Sequence, residues 1–173
     1  MEPALFEQMA VPLFDQLYNH AHWLTGNRSD AEDLVQETYA KALKGFRSFE
    51  AGTNLRAWMY RILRNTFLTS RAGLAAQKTG WLDDDDDAAQ SLPATTATPE
   101  HQLLAAENRQ QLMDALESLA VRDREILLLC EVEEMSYREI GQVLSVPLGT
   151  VMSRLSRARL RLRQTLERRN DGQ

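Results

Sequence analysis

Between Ser136 and Leu166 two helical patterns flank a hard stop, an arrangement that leaves a chain few ways to fold. Ser136-Tyr137-Arg138-Glu139 has the S-x-x-E spacing of a capping box, in which hydroxyl and carboxylate satisfy helix-end amides reciprocally. Ile140 and Leu144 then face inward. Gly141 stands mid-helix, where glycine costs about 1 kcal/mol against alanine, so its expected use is to let a second helix cross close by. Ser145-Val146-Pro147 breaks the helix, and Thr150 is the expected cap of a longer one, in which Val151, Leu155, Ala158 and Leu162 recur at helical spacing.

A turn of about 100° per residue puts Ser153, Ser156, Arg157 and Leu160 opposite that apolar stripe. Arg154 and Arg161 line one rim; Met152, Arg159 and Arg163 line the other. A major-groove helix needs this layout: short hydroxyls and an arginine at base edges, flanked by cations for phosphates. Arg138 on the first helix and Thr150 at the start of the second complete the candidate contact set. A plain helical hairpin with a solvated basic face does not call for six arginines between 154 and 168.

The whole-chain charge of −5, with pI near 5.3, argues against nucleic acid, but its distribution does not. Residues 1–40 carry −6, 41–78 carry +7, 79–135 carry −11 and 136–173 carry +5. Two basic blocks thus alternate with two acidic ones, and each basic block is a candidate phosphate-binding surface.

The remaining periodicity is helical, and no strand pattern emerges. Leu13, Phe14, Leu17, Ala21 and Leu24 form one helix within 10–75, ended by Gly26-Asn27. Ser29 to Glu32 offers a capping box for a second, carrying Leu34, Val35, Thr38, Ala42, Leu43 and Phe46. Asn54 can cap a third, with Leu55, Trp58, Met59 and Ile62 inward. From about 72 to 99 small and polar residues surround Asp83-Asp84-Asp85-Asp86-Asp87, the composition of an extended acidic linker, although Trp81 is unusual there. Thr98-Pro99 looks like a cap with a first-turn proline, followed by an apolar face from Leu103 and Leu104 to Leu119. The expected fold is all-α: a helical domain over 1–75, a flexible acidic linker over 76–98, and a four-helix domain with the helix-turn-helix over 99–173.

Enzyme chemistry finds little support. His20 and His22 are two apart on a helix and point to different sides, and His101 stands alone. No glycine-rich phosphate loop, nucleophile elbow or metal-spaced Cys/His cluster occurs, so neither cofactor nor metal is expected. Lone Cys130 excludes an internal disulfide and reads as an inert buried thiol. Without a signal-peptide pattern or a bilayer-length apolar run, the expected compartment is the cytoplasm, without membrane insertion. A dimeric repressor would need a dimerisation surface or sensor domain, and neither is visible.

Ser136 to Leu162 resembles the −35-reading module of extracytoplasmic-function (ECF) sigma factors. D-A-E-D-L-V-Q-E-T-Y-A-K-A from Asp30 to Ala42 and N-L-R-A-W-M-Y-R-I-L-R-N-T-F from Asn54 to Phe67 look like that family's core-binding and −10-reading region. G-T-N-L-R-A-W and P-L-G-T-V-M-S-R-L look closest to its thiol-oxidative-stress subgroup, governed by a zinc-containing anti-sigma factor. The resemblance implies a transcription initiation factor that binds core RNA polymerase through the β′ clamp helices and β flap, reads duplex −35 DNA, melts the −10 element and is restrained by an anti-sigma factor. It assigns Asp33, Gln36, Glu37 and Ala40 to the clamp. To the single-stranded −10 element it assigns Phe49, Gly52, Thr53, Asn54, Arg56, Trp58, Tyr60, Arg61, Arg64, Asn65 and Arg71: a glycine-containing base pocket, aromatic surface and phosphate cations. Periodicity also turns Trp58 toward the core. Under the resemblance the aspartate run would either mimic RNA near the polymerase active centre or serve only as a solubilising tether. A sigma mimic that only sequesters an anti-sigma factor would have little use for an arginine-rich reading helix. Met152 departs from the family, many of whose members carry a basic residue there.

Overall fold

The computed structural model describes residues 2–70 and 106–172, and every regular element among them is helical. The acidic run, Trp81, Thr98-Pro99, Leu103, Leu104, His101 and Arg71 lie outside the described residues. In the N-terminal module α1 (Glu2–Ala10) leads through a short 3-10 turn into α2 (Phe14–Thr25), then α3 (Arg28–Gly45) and α4 (Leu55–Leu68). In the C-terminal module α5 (Ala106–Ser118) precedes α6 (Val121–Leu127), which widens into a π turn (Leu128–Val132) before α7 (Tyr137–Leu144) and α8 (Leu148–Asp171).

Local chemistry sets most boundaries. Gly26 ends α2 at φ +83°, a left-handed conformation glycine adopts without strain. The next helix opens on Asn27, not at Ser29: the Asn27 Oδ1 accepts the Asp30 amide at 2.8 Å and its Nδ2 donates to the Asp30 carboxylate at 2.7 Å. A cap immediately after the C-terminal glycine starts the helix earlier than the expected Ser29 box. Asn54 caps α4 as expected, accepting the Ala57 amide at 2.9 Å. The Ser136–Glu139 box is complete, with the Glu139 amide 3.1 Å from the Ser136 hydroxyl and the Ser136 amide 2.8 Å from the Glu139 carboxylate. Thr150 caps nothing: α8 starts two residues before it, on Pro147, because extended Pro147 already accepts the Thr150 and Val151 amides.

Helix α1 is absent from the sequence expectation, which began at residue 10. It is fastened by Phe6, buried edge-on against Tyr39 and Phe46, and by the Tyr39 hydroxyl donating to the Ala10 carbonyl at 2.7 Å. The inward stripes on α3 and α8 are as the periodicity places them, with Leu34, Val35, Thr38, Ala42, Val151, Leu155 and Ala158 buried. Helix α4 is buried on more than one side: Tyr60, Met59, Leu63 and Phe67 are all inaccessible, while Trp58 and Ile62 are partly covered. The reason is tertiary. The two modules dock directly, α4 against α7, and their buried apolar side chains form one continuous core. Each fully buried side chain of this size contributes about 1.5–3 kcal/mol, so the docked face of α4 is a substantial part of the fold.

Candidate nucleic-acid interface

On α8 the proposed reading face is accessible in part. Met152 is 51% exposed and Leu160 also reaches solvent, while Ser153, Ser156 and Arg157 are half-buried along the same side. The Ser153 hydroxyl donates to the Thr150 carbonyl at 3.2 Å, which fixes its rotamer. Arg138 is exposed on the first turn of α7. Gly141 has the predicted tightness but a more local cause: a Cβ there would lie 3.0 Å from the Val146 carbonyl oxygen and 3.6 Å from Val151 on α8. The turn folds onto the helix at this glycine, with the Val146 amide bonded back to the Gly141 carbonyl.

Two of the rim arginines are held by carboxylates. Arg161 Nη1 donates to both oxygens of buried Asp123 at 2.9 Å, and Arg159 pairs with Glu131 at 2.9 Å while also touching the Cys130 sulfur at 3.4 Å. Cys130 is half-buried, and burial raises its thiol above the ordinary range, which disfavours the thiolate. Arg122, at the start of α6, joins Arg154, Arg157 and Arg161 in one cationic cluster. Burial first, and then repulsion from Arg154, lower its guanidinium to about 10, against the attraction of Asp123. Sequence periodicity missed it because it lies in the acidic 79–135 block and on a different helix.

The −10 candidates divide by where they stand on α4. Arg61 and Asn65, one turn apart, are exposed. Phe49 packs on Trp58 with ring centroids 5.1 Å apart and stacks on Phe46 at 5.8 Å, so both side chains wall a loop whose Gly52, Thr53 and Asn54 are exposed. Gly52 sits at φ +93°, and the Thr53 hydroxyl closes the loop on the Glu50 carbonyl at 2.7 Å. Trp58 therefore serves packing and lines the loop together.

Arg56, Tyr60 and Arg64 fall on the third side, beneath the C-terminal module. Tyr60, expected as accessible aromatic surface, is 1% exposed; its hydroxyl donates to Glu133 at 2.6 Å and its edge meets the buried His20 ring at 5.2 Å. Arg56 lies over the Tyr60 ring at 5.6 Å and donates to the Glu133 carbonyl at 2.7 Å. Arg64 pairs with Glu125 at 3.0 Å, the two side chains being 13% and 1% exposed. Burial raises the Glu125 carboxyl, outweighing the attraction of Arg64. Asn54, beyond capping α4, donates to Glu139 at 2.6 Å, whose own carboxyl is held low first by the Ser136 amide.

Asp33, Gln36, Glu37 and Ala40 share an exposed face of α3, where Glu37 pairs with Lys41 at 3.4 Å. Gln36 also borders a shallow cleft with Phe14, Tyr18, Arg28 and Glu32. Among the described residues no helix is long and apolar enough to cross a membrane, and no group of three His, Cys, Asp or Glu side chains is placed to hold a metal ion.

Residues 12–76 match the family described as Sigma-70 region 2, and residues 109–162 match Sigma-70, region 4. The chain is 36% identical over 168 residues to the ECF RNA polymerase sigma factor SigE of Mycolicibacterium smegmatis, a match covering 92% of this chain and 64% of that protein's length. It is 36% identical over 142 residues to the ECF RNA polymerase sigma factor EcfG of Rhodopseudomonas palustris, covering 80% of this chain and 72% of the other. Among solved structures it is similar to the sigma factor RpoE of Bartonella quintana in complex with the anti-sigma factor NepR, at TM-score 0.67 and 32% identity over 94% of this chain and 96% of that one. With both regions present in order and relatives matched across both, the chain belongs to the ECF sigma factors of the sigma-70 family.

Proposed function

We propose that this chain is an alternative sigma factor that recruits core RNA polymerase to promoters through two separate contacts, α8 on duplex −35 DNA and α4 with the 49–54 loop on the melted −10 strand. The observation that supports this reading is a cationic cluster on each of two modules of one chain: Arg61 exposed on α4, with Arg56 and Arg64 on its covered side, and Arg122, Arg154 and Arg157 together on the other module. Base discrimination falls to Ser153, Ser156 and Arg157, and phosphate contact to the surrounding arginines including Arg159 and Arg161. The exposed α3 face of Asp33, Gln36, Glu37 and Ala40 docks on the polymerase, where acidic and amide groups suit a basic partner and set association rate and register. The polymerase supplies the chemistry, so the reading asks for no catalytic residue.

Control by an anti-sigma factor belongs to the same reading. Its support is that one superposition spans both modules of a relative captured with such a partner. The reading is tested by adding the purified chain to core polymerase and mapping runoff transcripts from a genomic promoter pool. Discrete starts sharing −35 and −10 motifs are expected only when chain and core are both present. Tight DNA binding by the chain alone, with no transcript on adding core, would instead make it a conventional DNA-binding regulator.

A further inference from the structure

We propose that Leu148 and Met152 form an apolar reading patch at the start of α8 that contacts the C5-methyl group of thymine, so that the chain selects −35 sites with a thymine at one or two set positions. The proposal rests on the assignment of α8 to duplex −35 DNA. Leu148 is 54% exposed and Met152 51% exposed, one helical turn apart in the first two turns of the helix. Neither belongs to the hydrophobic core or to the side chains packed against it. The fold therefore gains little from either. One exposed apolar side chain would be ordinary, but these two stand together among Thr150, Ser153 and Arg157 on α8, with Arg138 exposed on the first turn of α7.

Chemistry selects the occupant. The N-terminal residues of a helix lying in the major groove are the ones that reach base edges. There the thymine methyl is the one methyl group on offer, set among amino donors and carbonyl or ring-nitrogen acceptors. An apolar side chain packs on that methyl, whereas against cytosine or adenine it strips water from an amino group and gives it no partner. Discrimination thus has a gain and a penalty. The unbranched thioether of Met152 adapts its shape to such a contact. Gly149 stands beside the patch, and a Cβ there would meet no heavy atom within 4 Å among the described residues. Its bare backbone is free to let the first turn come close to a base pair. A cation at position 152 would bind phosphate whatever the sequence; Met152 contributes selectivity without that general attraction.

The test uses holoenzyme on a promoter taken from the runoff transcripts, with each −35 thymine replaced in turn by deoxyuridine, which removes only the methyl group. One or two replacements are expected to weaken wild-type binding about fourfold each, the value of one buried methyl group. The same replacements should leave the affinity of Leu148→Ala/Met152→Ala holoenzyme unchanged, while Met152→Leu keeps the sensitivity and Met152→Gln loses it. Each comparison is made within one holoenzyme, so a general loss of affinity cancels. The salt dependence of Met152→Ala should match wild type, and Met152→Arg should steepen the salt slope by about one. If the −35 motif holds no thymine on either strand, or deoxyuridine weakens nothing, or it weakens wild type and the double variant equally, the patch does not read the methyl group and the proposal is overturned. In those cases a relaxed −35 preference in Arg157→Ala leaves the assignment of α8 standing. If neither Arg157→Ala nor the double variant changes −35 affinity, the assignment of α8 fails and the patch fails with it.

Discussion

At the scale of single residues, neighbouring arginines on one helix are expected to do different work. Arg157 stands on the face with Ser153 and Ser156, whereas Arg161 is tied to Asp123 through two 2.9 Å contacts. Arg157→Ala should cost about 1–3 kcal/mol of promoter affinity and relax preference at one or two −35 positions. Arg161→Ala should weaken all promoters alike and lower the salt slope. A panel of −35 variants titrated with both holoenzymes decides it; identical profiles would mean the face assignment is wrong. His20 carries a separate prediction. Burial drives its imidazole from 6.5 down to about 3, so it is neutral in the fold. A folded value below the unfolded one gives stability that is complete above pH 6.5 and is lost as pH falls toward 3. At pH 5 the loss from this side chain is about 2 kcal/mol. Urea unfolding at pH 7.5 and pH 5 should show that much more acid sensitivity in wild type than in His20→Leu.

Among the helices, legibility tracked how local the cause was. The boxes at Ser136 and Asn54 involve atoms three residues apart, and both are where the spelling puts them. The Ser29 box has the right spelling but loses to Asn27, a cap placed directly behind a glycine terminator. Tyr60 was not legible because its hydrogen-bond partner, Glu133, lies on the other module, and helical periodicity reports only which faces of one helix are apolar. Gly141 falls between these cases: its exceptional position is evident from sequence, but only the structure identifies the Val146 carbonyl as its neighbour. Alanine there would gain about 1 kcal/mol of helix propensity and lose about 1–3 kcal/mol to overpacking against fixed backbone. Gly141→Ala is therefore expected to lower stability by about 1 kcal/mol in denaturant melts and to weaken −35 binding more than it weakens core binding. A stabilised variant with unchanged −35 affinity would show that the turn can yield.

Over the whole molecule the alternating charge blocks acquire a second meaning. Sequence alone offers the +7 block at 41–78 and the +5 block at 136–173 as two phosphate surfaces. In the folded chain the intervening acidic block answers both: Glu125 and Glu133 face α4, while Asp123 and Glu131 hold α8. This internal complementarity pairs cations of both basic blocks with carboxylates of the acidic block between them. The burial of the contacts on α4 distinguishes them from loose surface attraction. Exposed charges are screened over about 10 Å at 0.1 M salt, but Arg64 and Glu125 are almost entirely withdrawn from solvent and share an apolar core with both modules. Raising salt from 0.05 to 0.5 M should therefore leave the radius of gyration of the free chain unchanged in small-angle scattering, while the same change weakens holoenzyme–promoter affinity by orders of magnitude through lost phosphate contacts. Expansion of the free chain over that range would mean that the modules are held by surface charge and not by the docked face of α4.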